Sequence, residues 1–194
     1  SLCMEGKLKI LMGVDPEFYV VDRETNKPVS AHELVPGTKK EPSRLPSGGF
    51  VQSDGVAVEF NIPASGTAKE FSDNITGALN DLRALIPQKY KFVFRPITTF
   101  DKKYFDELPE NVKELGCDPD MNAYTGTFNR SPGKEVGDAP TRVFGGHIHI
   151  GWGSDMSGDA HTKDCITVIK QIESIGTPDY TYSYDMMDLQ QRRQ

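Results

Sequence analysis

The chain is 194 residues long, with 22 Lys and Arg against 28 Asp and Glu and a formal charge of −6. That length suits a single domain, residues 1–194, with one continuous core, while the acidic balance disfavours a broad nucleic-acid footprint, which is built mostly from Lys and Arg. No stretch approaches the roughly 20 apolar residues of a membrane span. Cys3, Cys117 and Cys165 lack the paired spacing of a disulfide framework or a structural zinc site.

Unpaired thiols fit a reducing compartment. The opening "SLCMEGKLKI" lacks the basic and apolar segments of a secretory signal, so the expected location is the cytoplasm. In chain order, "KLKILMGVDPEFYVVD" predicts strand at Lys7 to Met12 and Glu17 to Asp22, interrupted or bulged at Pro16. Lys27 to Gly49, rich in Pro, Gly, Ser and charge, reads as loop. Val56 to Ile62 alternates as a strand and stops at Pro63.

Thr67 followed three residues later by Glu70 forms a capping box. Phe71, Ile75, Ala78, Leu79, Leu82 and Ile86 then recur at helical spacing until Pro87. "YKFVFRPITTF" and "RVFGGHIHIGW" each read as a strand, separated by a loop that includes Asn129 to Thr141. After a further loop at Ser154 to Asp159, "HTKDCITVIKQIESIG" reads as a second amphipathic helix closed by Gly176. Strands outnumber helices and do not alternate with them in short βαβ units. The expected fold is therefore α+β, a largely antiparallel sheet with helices packed on one face.

Because side chains alternate along a strand, His147 and His149 in "GGHIHIGW" share a face, with Cβ atoms about 6–7 Å apart. Ile148 and Ile150 would point the other way and pack beneath the helices. Gly145, Gly146 and Gly151 permit close approach by a ligand or another backbone. An isolated His-x-His is more often a wet strand face than a site, but this one has company. Extended backbone through Pro16 puts Asp15 and Glu17 on one face, and Glu59 sits between Val58 and Phe60 in an apolar strand. A desolvated carboxylate needs a compensating cation or donor, and one shared cation would serve all three. Carboxylates with imidazoles and no thiolate suit magnesium or manganese in a substrate-bridging role. Neither GxxxxGK[ST] nor GxGxxG is present, so the ions themselves would hold a nucleotide.

"GVDPEF", "DGVAVEFNIP", "ELGCDPDMNAYTG" and "GGHIHIGW", in that order, resemble the phage-type carboxylate-amine ligases, a branch of the glutamine synthetase and glutamate-cysteine ligase superfamily. The resemblance runs from about Leu8 to the C-terminus. It implies a glutamine synthetase-like catalytic domain whose curved antiparallel sheet holds two or three Mg2+ or Mn2+ ions and, through them, ATP as co-substrate. The implied reaction moves the ATP γ-phosphate to a carboxylate, and an amine then attacks the acyl phosphate to form an amide. By motif, Asp15, Glu17 and Glu59 match the metal-binding acids and His147 the metal-side histidine, while His149 lies toward the acyl substrate. Glu17, Glu59, His147 and His149 form the implied catalytic set.

Asn61 and Lys39 are candidates for substrate or phosphate contact, and Arg142 for positive charge at the acyl phosphate. Arg192 and Arg193 match a paired arginine of the family. The family normally continues into a closing strand bearing glutamate and arginine. A missing segment or another chain would then supply that strand, or the protein is a relative that binds nucleotide and metal without ligating. A metal-dependent hydrolase sharing these acids and histidines is the other alternative. The resemblance leaves the carboxylate and amine substrates, small or peptidic, unspecified. It also allows a homo-oligomer and, for a phage-encoded protein, the host cytoplasm.

Overall fold

The computed structural model describes residues 9–115, 121–129, 138–152, 158–175 and 183–184. The chain forms two compact units, the larger comprising Leu11–Gly116 and Pro132–His149, the smaller Ser1–Ile10, Cys117–Ser131 and Ile150–Gln194. The fold is α+β with a curled antiparallel sheet. No helix among the described residues is long and apolar enough to cross a membrane.

The spine of the larger unit is β1 (Leu11–Asp22). It is one strand that passes through Pro16 without the expected interruption. Its C-terminal half pairs antiparallel with β2 (Pro28–Val29) and with β6 (Tyr90–Val93). Beyond it lie β3 (Ser43–Arg44), β4 (Phe50–Asp54) and β5 (Ala57–Phe60), and on its other side β10 (Gly146–Gly151), in the order β10-β1-β5-β4-β3. The apparent long strands around Pro96 and Phe144 each divide. Their other halves, β7 (Ile97–Thr99) and β9 (Thr141–Val143), form a separate antiparallel ribbon. Pro96 has no N–H to extend a ladder, and its carbonyl instead accepts the Phe144 N–H at 2.8 Å.

Helix α1 (Ala68–Leu85) begins where the capping box places it. The Thr67 hydroxyl accepts the Glu70 N–H at 3.1 Å, and the Glu70 carboxylate reaches back to the Gly66 N–H at 2.8 Å. Thr67→Ala is expected to cost about 1 kcal/mol in urea unfolding, because it orphans one end of this reciprocal cap. The apolar stripe of α1, with Ala78 and Leu82, packs on Phe18, Val20, Val51, Val58 and Phe60. Phe18 and Val20 therefore face α1, and the alternation sends Tyr19 and Val21 to the opposite face.

That opposite face is covered as well, which corrects the expectation of helices on one side only. Phe105, Leu108 and Val112, on and around α2 (Lys102–Asp106) and α3 (Glu110–Lys113), join Tyr19, Val21, Phe100 and Phe144 in a second core. Both helices are too short to show a sustained period. Each contributes one buried side chain, Phe105 on α2 and Val112 on α3, with Leu108 in the segment between them. "FYVV" is thus an uninterrupted apolar run because it is buried on both faces. Further toward the N-terminus the same strand carries Asp15 and Glu17.

In the smaller unit, β8 (Met121–Asn122) pairs antiparallel with β11 (Ser183–Tyr184). Helix α4 (Gly158–Ile175) matches the predicted amphipathic run but starts three residues before His161. Cys165 is buried on it with Ala123, against Met121, Trp152, Ile166 and Ile169.

Candidate metal centre

Three adjacent strands build a carboxylate cluster. Glu17 on β1 stands directly opposite Glu59 on β5, and Glu59 opposite Gln52 on β4. Since directly paired residues point to the same face, Glu17, Glu59 and Gln52 project together, and the two-residue period adds Asp54 to that face. The hairpin joining β4 to β5 turns at Gly55, whose φ of +57° suits the first position of a two-residue loop. One oxygen each from Glu17, Asp54 and Glu59 falls within 4.8 Å of the others.

Asp15 lies two residues before Glu17 on the same strand and is held by histidines. Its carboxylate makes a short hydrogen bond to His149 Nε2, and its other oxygen lies 3.7 Å from His147 Nδ1. The imidazole rings are 6.3 Å apart, one patch as the His-x-His spacing requires. Strand β10 approaches β1 closely enough that a Cβ on Gly146 would stand 3.0 Å from Pro16 Cα. A side chain there would press on the β1 backbone, so glycine favours the close approach that brings the histidines to Asp15. The Gly145 carbonyl accepts the Glu17 N–H at 2.9 Å, while the Glu17 carboxylate accepts the Gly145 N–H at 3.1 Å.

The acids divide electrostatically. Burial raises the Glu59 carboxyl, and the nearby Asp54, Glu17 and Asp15 push it further, against a 2.8 Å hydrogen bond from Gln52, to about 7. Burial also opposes ionisation of Asp15. There, however, the hydrogen bonds and positive potential of His147 and His149 win, and its carboxyl lies well below the usual range. The cluster thus contains one satisfied carboxylate, Asp15, and one, Glu59, whose ionisation is opposed first by burial and then by its negative neighbours.

The remaining candidates fare differently. Lys39 reaches the cluster, with Nζ 3.4 Å from the Asp54 carboxylate. The Asn61 side-chain carbonyl accepts the Phe50 N–H at 2.9 Å and so clasps β4 to the end of β5. Arg142, expected near an acyl phosphate, is engaged with the backbone. Its guanidinium is buried, donates to the carbonyls of Lys113, Ala139 and Thr141, and stacks over Phe105 at 4.6 Å. It ties the second core to the backbone, three carbonyls accepting from its two terminal nitrogens. Ile148 is corrected, being 67% exposed instead of packed beneath a helix. Arg192 and Arg193 lie outside the described residues, as do Cys117 and the Asp118 and Asp120 of its motif.

Asp54 and Gln52 were missed as site residues. Asp54 precedes a glycine and looks like a turn residue, although the alternation of "FVQSD" places both polar side chains on one face. No protein-family profile, curated protein or solved structure matches the chain.

Proposed function

We propose that this protein is an ATP-dependent carboxylate-amine ligase of glutamine synthetase-like architecture. The observation that carries the reading is the convergence of Glu17, Asp54 and Glu59 beside the Asp15–His147–His149 group on one sheet face. The donor set fits Mg2+ or Mn2+. It is all carboxylate, and oxygens around such an ion at about 2.1 Å stand up to about 4.2 Å apart, close to the spacing found here.

Glu17, Asp54 and Glu59 would hold the metal, with Lys39 giving up its contact to Asp54. When bound, the ion neutralises charge on a transferring phosphoryl group. The neutral fraction of Glu59 near pH 7 is the form that must ionise for a cation to enter, so affinity falls as pH drops below that value. Asp15 holds the ring of His149 through Nε2, and the other ring nitrogen would orient the carboxylate partner of the reaction. The half-exposed His147 is open to the second substrate.

The reaction makes a reactive acyl phosphate, which hydroxylamine intercepts as a hydroxamate. Incubation with ATP, Mn2+, hydroxylamine and a panel of amino-acid and peptide carboxylates is expected to yield hydroxamate and ADP together. Carboxylate-independent ADP release with no hydroxamate from any acid would count against ligation, and turnover without ATP would point to the hydrolase instead.

A further inference from the structure

On the α1 side of the sheet, away from the carboxylate face, a cavity of about 540 Å³ opens between the last turn of α1 and strand β6. Its lining joins three cations, Arg23, Arg83 and Lys91, to three aromatic rings, Tyr90, Phe92 and Phe94. Arg23 donates through Nε to the Gln88 carbonyl at 2.9 Å, and Arg83 through Nη1 to Asn80 at 3.3 Å. Among the described residues no carboxylate pairs with any of the three. In a chain of net charge −6, three cations lining one opening are a local reversal of the average.

The aromatic wall is anchored. Phe92 and Phe94 each pack on the fully buried Phe18 with ring centroids 4.8 Å apart, yet Phe94 remains 55% exposed and turns apolar surface to the opening. Such a volume suits a small ligand. We infer that this cavity binds a small organic anion, with its carboxylate or phosphate among Arg23, Arg83 and Lys91 and its apolar or aromatic body against Tyr90, Phe92 and Phe94. Guanidinium groups suit either head group, and an aromatic body gains both stacking and cation–π contact. A ligand bound here meets none of Asp15, Glu17 or Glu59, so the site is independent of the metal centre.

The test is titration of the full chain with 2-naphthoate, 1-naphthyl phosphate, the neutral 2-naphthalenemethanol and inorganic phosphate, read by backbone amide shifts and calorimetry. We expect at least one aromatic anion to bind and to shift the amides of Lys91 to Phe94. Arg23→Ala with Arg83→Ala should weaken it about tenfold or more, since both side chains are exposed and their loss leaves the core intact. Phe94→Ala should also weaken it, and Glu17→Gln should not. The inference fails if the neutral alcohol or phosphate alone binds as well as the aromatic anions, or if the shifts map elsewhere. It also fails if the folded protein shows no binding at about 5 mM, which corresponds to only about 3 kcal/mol. Binding of an acidic peptide along β6 without the small anions would replace it with a peptide site.

Discussion

Glu59→Gln is expected to raise the stability of the metal-free protein at pH 8 by about 2–3 kcal/mol, or about 5–10 °C in Tm for a chain of this size. Burial and the surrounding acids lift the Glu59 carboxyl from 4.5 to about 7 in the folded state. Between those values the native protein holds a proton that the unfolded chain has released, so wild-type stability falls as pH rises through this window. It stays low above it. The amide carries no charge to desolvate, and its carbonyl can still accept from Gln52. Near pH 4 both states of the wild type are protonated at this position, and the variant's advantage should vanish. Mn2+ should reverse the order at pH 8, raising the Tm of the wild type but not of the variant. A pH-independent difference between the two proteins would mean that Glu59 does not titrate as its surroundings require.

Asp15→Asn has the opposite sign. The Asp15 carboxyl is depressed by its two histidines, so its contribution is fully present above the unfolded value of 3.8 and is lost as pH falls through the folded value. The substitution should cost about 1.5–3 kcal/mol at pH 7, the worth of hydrogen bonds to a charged group. The gap should narrow below pH 3.8, measured by urea unfolding across pH. In the hydroxamate assay the variant should lose about tenfold or more in turnover through misaligned His149, with Mn2+ affinity changed by less than about threefold, because the ion's ligands lie on other side chains. An equal loss of both would place Asp15 among the metal ligands.

Much of this arrangement was legible in the sequence, and what was not has physical reasons. The Thr67–Glu70 box located α1 because the cap is local chemistry. Asp15, Glu17, His147 and His149 could be assigned to faces because a strand alternates with period two. Whether strands lie side by side is not written in any period, however, and the approach of β10 to β1 became visible only through Gly146. Asp54 was hidden by its position before Gly55, where a turn and a ligand have the same signature. The contacts of Arg142 could not be read either, because an arginine that bonds three backbone carbonyls is indistinguishable in sequence from one that awaits an anion.

The most direct test of the central claim is calorimetric titration of ATP into the protein at pH 8, with and without Mn2+, in the wild type and Glu17→Gln. The amide preserves the shape at residue 17 and can still accept the Gly145 N–H, so the fold should be retained. We expect ATP to bind the wild type only with the metal, and the variant to lose that binding by about tenfold or more. Metal-dependent ATP binding of equal strength in a folded Glu17→Gln protein, or none in the wild type, would contradict the assignment of this sheet face as a metal–nucleotide site.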